Sequence, residues 1–138
     1  MKNKVLVDTN LLVYFADRDS EFHVVTVQFL TTSPYLLFTT SKNLSEFLMA
    51  VTKCEKPKLT VGDALQYVEN FRQSFEIIYP DERSTSIFLL IVEDYQVKGL
   101  RVHDAEIAAI GLAKGVSTVA TFNISDFKGF AEVSLLTP

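Results

Sequence analysis

The sequence predicts an α/β fold of three layers, with helices covering both faces of a central parallel sheet of about five strands. Two observations predict it. Five short apolar runs of strand length recur along the chain, and segments with helical spacing separate them. Strand and helix in alternation leave successive strands parallel, and such a sheet is buried on both faces. With 138 residues, 48% hydrophobic and 22% charged, the chain is expected to form one globular domain over residues 1–138.

The first strand is "KVLVD", and a helix begins near Asn10. From Phe22 to Ser41 there is no Lys, Arg, Asp or Glu, so a membrane span has to be weighed. His23, Gln28, several threonines, Pro34 and the turn-like "TTSP" favour a helix followed by the buried strand "YLLFTT". The helix "SKNLSEFLMAV" comes next. Lys53, Lys56 and Lys58 in "TKCEKPKL" mark an exposed helix-to-helix connection more than a polyanion-binding patch. In "TVGDALQYVENFRQSF", Leu65, Val68 and Phe71 share a face, and Thr60 with Asp63 resembles a capping box. The strand "FEIIY" leads to "DERSTSIFLLIVEDYQVKG", where Phe88, Ile91, Val92 and Tyr95 line one face and Gly99 is placed as a stop. In "HDAEIAAIGLAKG", the small residues Ala105, Ala108, Ala109 and Gly111 let a helix approach a sheet closely before Gly115 ends it. The strands "VSTVAT" and "AEVSLLT" complete the pattern.

The formal net charge of −4 argues against coating nucleic acid through a broad basic face. It leaves room for a nucleic-acid enzyme whose bound divalent cations offset grouped carboxylates. Cys54 has no second cysteine with which to form a disulfide or share a thiolate zinc site, which fits a reducing compartment. The N-terminal apolar run stops at Asp8, too soon for a secretory leader, so a cytoplasmic protein without a membrane segment is expected. No P-loop or glycine-rich dinucleotide loop occurs.

In a parallel α/β sheet the C-terminal ends of the strands and the N-termini of the following helices share one edge, where ligands bind. Asp8 ends the first strand, Glu46 lies in the first turns of the helix after the second, Asp104 opens the helix "DAEIAAIGLAKG", and Asp126 follows "VSTVAT". Gathered there, four acids repel one another unless protonated or neutralised by a cation. Hard oxygen ligands with few competing His or Cys groups suit Mg²⁺ or Mn²⁺ better than zinc. Each acid also has a simpler role. Asp8 suits a helix cap, Glu46 the reaching member of a capping box with Asn43, Asp104 the helix dipole, and Asp126 a turn positioned by Phe127. Asp81 and Glu82, after the third strand, are expected at the same edge, where starting a helix after Pro80 is a sufficient role. His23 and His103 form no ligand pair at helical spacing; His103 adjoins Asp104, where contact with a substrate is one reading and a structural or solvent-facing role the favoured one.

"VLVDTNLLVY", Glu46 early in a helix, "HDAEIAAIGLAKG", and "TFNISDF" before a closing strand occur in this order over essentially the whole chain. Together they resemble a PIN domain, specifically the VapC type of toxin ribonuclease. The resemblance implies a PIN-like α/β/α sandwich and an endoribonuclease that depends on one or two Mg²⁺ or Mn²⁺ ions and leaves 5′-phosphate and 3′-hydroxyl ends. By the same resemblance Asp8, Glu46, Asp104 and Asp126 are the catalytic acids. Asp8, Asp104 and Asp126 then ligate metal, and Glu46 is a ligand or orients water. Asn10, Thr121 and Asn123 occupy supporting polar positions. The implied partners are an RNA substrate, a cognate antitoxin that wraps the enzyme, and a second copy in a homodimer. Eleven Phe and five Tyr supply apolar surface for such contacts. Arg18, Lys42 and Lys128 fall near the predicted edge as candidate phosphate contacts.

Two other enzyme classes also place an acid after the first strand. A haloacid-dehalogenase-type phosphatase needs a second Asp two residues after its nucleophile, where this chain has Asn10. A phosphoacceptor receiver domain needs an acidic pair at the first strand and a Lys after the fifth, and neither is present. The alternative from a different class is a PIN-like module that binds RNA or protein without cutting. Pure binding would not require all four acids together.

Overall fold

Strand residues alternate between two apolar cores, one on each face of the sheet. The computed structural model describes residues 2–53 and 55–138, so the reading of Cys54 lies outside the described residues. The elements run β1 (Lys4–Val7), α1 (Thr9–Ala16), α2 (His23–Thr32), β2 (Leu36–Thr40), α3 (Ser41–Lys53), α4 (Val61–Ser74), β3 (Glu76–Ile78), α5 (Glu82–Tyr95), α6 (Arg101–Ala113), β4 (Thr118–Ala120), α7 (Ile124–Phe127) and β5 (Ser134–Leu136). All five strands are parallel, in the order β3-β2-β1-β4-β5. This is the expected α/β class.

Because side chains alternate along a strand, Leu6, Phe38, Ile78 and Val119 face a core closed by α5, α6 and α7. Their neighbours Val5, Val7, Leu37 and Ala120 face the other core, filled by Leu11, Leu12, Phe47, Val51 and Phe71 from α1, α3 and α4. Three layers result. The central strand β1 carries Val5, Leu6 and Val7 at 0–1% exposure, as the two-sided burial of a parallel sheet requires. On α6 the small residues do seat the helix. A Cβ added at Gly111 would meet the Val116 carbonyl oxygen at 2.9 Å and the Leu6 side chain at 3.3 Å.

Strand order reverses between β1 and β4, so the chain leaves the sheet on either side of a crevice at Asp8 and Thr121. Phe122, just past β4, packs on Tyr14 and Phe22 and closes the apolar side of this junction. No helix among the described residues is long and apolar enough to cross a membrane. The uncharged stretch divides into α2 and β2, as expected.

Four local expectations are corrected. On α4 the inward face is Ala64, Tyr67, Val68 and Phe71, whereas Leu65 is turned outward and half exposed. Helix α5 ends at Tyr95 with Gln96 in the left-handed region (φ 51°), so Gly99 belongs to the next turn. Helix α6 begins at Arg101, which places Asp104 at the end of its first turn. Asp81 caps α5 through a reciprocal capping box with Ser84, as expected, but not at the acid edge: it faces Lys114, 3.6 Å away, at the far end of α6. Asp104 and Lys114 lie ten residues apart on and just past α6, so about 15 Å of helix separates them. The short link from β3 thus carries the chain to the opposite edge before α5 runs back beside α6.

Candidate metal and catalytic site

Asp8 follows three buried apolar residues and is itself 5% exposed, so its charge must be satisfied within the protein. Its Oδ1 accepts from the Thr9 backbone N–H at 2.9 Å, with Asn43 Nδ2 at a longer 3.5 Å. Oδ2 accepts from Asn10 Nδ2 at 3.0 Å and from Thr121 Oγ1 at 2.9 Å. Asp8 is also the N-cap of α1, the simpler role expected for it. Burial pushes its carboxyl up to about 6, outweighing the hydrogen bonds from Thr121 and Thr9. The charges of Glu46 and Asp126 push the same way.

Asn10 stitches the two sides of the crevice together. Its Oδ1 accepts from the Phe122 N–H at 3.1 Å, and its Nδ2 donates both to Asp8 and to Thr121 Oγ1, the latter at 2.9 Å. The fully buried Thr121 hydroxyl donates to Asp8 and accepts from the Asn123 N–H at 2.9 Å. Asn123 enters this network through its backbone while its side chain is exposed. Asp126 lies on the single turn α7, anchored by Phe127, which is 1% exposed.

Glu46 does not serve as the reaching member of a cap. The capping box joins Thr40 and Asn43: the Asn43 N–H donates to Thr40 Oγ1 at 3.0 Å, and the Thr40 N–H donates to Asn43 Oδ1 at 3.2 Å. Asn43 Nδ2 donates to Thr9 Oγ1 at 2.9 Å, and Thr9 Oγ1 donates to Glu46 Oε1 at 3.2 Å. This leaves Glu46 half-buried, one turn into α3, with a carboxyl raised mainly by burial against the lowering effects of Thr9, Lys42 and His103. Thr9 and Asn43, which the sequence reading did not single out for the site, join Asp8 and Glu46 in this hydrogen-bond network. The spacing Thr40-x-x-Asn43 at a strand end was the available signal.

Asp104 accepts no hydrogen bond among the described residues, and its carboxyl is pushed up to about 7. Burial is the largest cause, followed by the charges of Asp126, Asp8 and Glu46, while Arg101 acts in the opposite direction. The four acids therefore sense one another across the crevice. Among the described residues, no three His, Cys, Asp or Glu side chains converge into a closed cage as they stand. The donor set still fits a hard divalent cation, because every donor is oxygen and a cation among them relieves the repulsion that raises Asp104.

The cations differ in placement. Lys42, on the first turn of α3, ion-pairs with Glu106 of α6 at 3.1 Å. Lys128 is exposed, two residues past Asp126. Arg18 lines a separate groove of about 830 Å³ among α1, α2 and α4, with His23, Asp63 and Tyr67 and none of the four acids. Arg101, absent from the sequence-based set, is the cation that acts on Asp104.

The PIN domain family model matches residues 5–133. The chain belongs to the PIN domain family. None of the curated proteins matches it by sequence. Among solved structures, this PIN domain is similar to a chain of VapBC2 from Rickettsia felis bound to a promoter DNA fragment, at 21% identity and TM-score 0.72, covering 98% of each chain. It is also similar to a chain of DNA-bound VapBC from Salmonella typhimurium, at 19% identity and TM-score 0.71, again over 98% of each. Mycobacterium tuberculosis VapC20, a sarcin-ricin-loop-cleaving toxin, matches at 14% identity and TM-score 0.71, over 94% of this chain and 98% of that one.

Proposed function

We propose that this PIN domain is an endoribonuclease that hydrolyses RNA phosphodiesters with Mg²⁺ or Mn²⁺, and that it is the toxin of a VapBC-type toxin–antitoxin pair. One observation supports the reading: Asp8, Glu46 and Asp126, from three other segments, lie near enough to Asp104 for their charges to push its carboxyl up, and Asp8 stands at the strand-order reversal, where a parallel sheet binds ligands. Asp8, Asp104 and Asp126 would hold one or two ions, with Glu46 as a further ligand or as the group that orients water. When bound, such an ion lowers the pKa of water and offsets the negative charge of the phosphate. Asn10 and Thr121 fix Asp8 Oδ2, so that ligand is oriented before any ion arrives. Thr9 aims Glu46 Oε1, whose raised pKa suits it to take a proton from attacking water.

The similarity to chains of VapBC complexes supports an antitoxin partner, and a homodimer in the cytoplasm is part of the same proposal. Exposed apolar side chains such as Leu89, Leu90 and Leu100 supply surface for such contacts. The test is RNA cleavage with Mg²⁺ or Mn²⁺, with and without chelator, beside Asp8→Asn. Cleavage that needs metal and disappears with the substitution is expected. Cleavage unaffected by Asp8→Asn would sink the site, and failure to cut any RNA would leave the non-cleaving binding module.

A further inference from the structure

We propose that Arg101 binds a backbone phosphate of the RNA strand at the rim of the acid site, a role that rests on the nuclease reading above. Arg101 opens α6 three residues before Asp104, so the two side chains leave the same helix face. Its guanidinium lies over the Phe130 ring, 4.9 Å from the centroid, and Nη2 donates to the Lys128 carbonyl at 3.1 Å. The platform is itself fixed. Phe130 is 3% exposed, and the Tyr95 hydroxyl accepts from the Ala131 N–H at 3.1 Å and donates to Glu132.

Stacking and one carbonyl occupy one flat face and one N–H of a group that carries five donors in a planar fork. Arg101 is exposed and makes no ion pair among the described residues, so its charge and remaining donors face solvent beside the acids. Lys42, across the crevice, is already engaged by Glu106. A held guanidinium with a free edge suits bidentate contact with phosphate, and it loses little further rotamer freedom on binding. In a chain of net charge −4 it also offsets the repulsion that the acids exert on an approaching polyanion.

The test measures binding of a labelled single-stranded RNA of mixed sequence over a NaCl series, in buffer containing the hard cation Ca²⁺. Arg101→Ala is expected to bind about tenfold to a hundredfold more weakly, with a salt dependence shallower by about 0.7 in log–log slope. Arg101→Lys should restore the slope but only part of the affinity. Arg72→Ala, in an exposed pair with Glu69 on α4, should leave both unchanged. Mn²⁺ binding to Arg101→Ala alone, read by calorimetry, should match the wild type. Wild-type affinity and slope in Arg101→Ala overturn the proposal, as does a loss matched by lower thermal stability and weaker Mn²⁺ binding, which would mark a purely structural role. Wild-type protein that binds RNA but never cuts it removes the nuclease reading while the Arg101 comparison still stands. Wild-type protein that binds no RNA removes both.

Discussion

Replacing Asp8 by Asn separates the contribution of this side chain to the fold from its contribution to the site. Burial raises the Asp8 carboxyl from 3.8 to about 6, so the folded protein holds this proton more tightly than the unfolded chain. Acid therefore favours the fold. The contribution is complete below pH 3.8 and is lost as the pH rises through about 6. The span between the two limits is about 3 kcal/mol. Asparagine removes the charge and this pH dependence, but it presents an amide NH₂ where one carboxylate oxygen accepted hydrogen bonds from Thr9 or from Asn10 and Thr121. Leaving those buried donors unmatched costs about 1–3 kcal/mol. At about pH 8 the two effects nearly offset, and metal-free Asp8→Asn should unfold in urea within about 2 kcal/mol of the wild type. Near pH 4 only the cost remains, and the variant should be less stable by about 1–3 kcal/mol. Mn²⁺ at a hundred times its Kd should stabilise the wild type by about 2.7 kcal/mol and the variant by little, with RNA cleavage lost. Equal stabilisation of the two proteins by Mn²⁺ would refute Asp8 as a ligand.

Further expectations follow from neighbouring contacts. Mn²⁺ affinity measured by calorimetry should rise with pH through about 6 to 7, because protons compete for Asp8 and Asp104; a flat profile counts against both as ligands. Gly111→Ala should lower stability by about 1–3 kcal/mol through the clash with the Val116 carbonyl, and an unchanged denaturation midpoint would contradict that close approach. Glu106→Lys should lose stability that Lys42→Glu/Glu106→Lys regains, with a coupling near 1 kcal/mol in a double-mutant cycle. Additive effects there would mean that the pair does not bridge α3 and α6. Asn43→Ala should destabilise by about 1–3 kcal/mol and slow cleavage, since it frees both the Thr40 cap and the Thr9 hydroxyl that orients Glu46. Full activity in that variant would contradict the relay.

The alternation of "KVLVD", "YLLFTT" and "VSTVAT" with helical segments was enough to place five parallel strands, because a strand buried on both faces reads as a nearly continuous apolar run. Spacing was weaker on exposed helices. Leu65 fits the apolar stripe of α4, yet Tyr67 and Ala64 take the inward face, since packing against Phe15 and Phe47 decides the rotation of that helix. The edge rule failed for Asp81 because it assumes that each helix starts where its strand ends, and the chain between β3 and α5 first travels to the other edge.

By itself, the sequence determined the layers, the approach of α6 to the sheet, and the order of the four acids along the chain. These depend on local period and residue size, which a linear pattern records. Only the tertiary structure decided that Thr40 rather than Glu46 caps with Asn43, that Asn10 and Thr121 share Asp8, that Glu106 engages Lys42, and that Arg101 rests on Phe130 and the Lys128 carbonyl, one helix turn from Asp104. Several of those contacts join residues dozens of positions apart. Their partners are chosen by which strand ends the reversed sheet order brings face to face, and no periodicity in the chain encodes that choice.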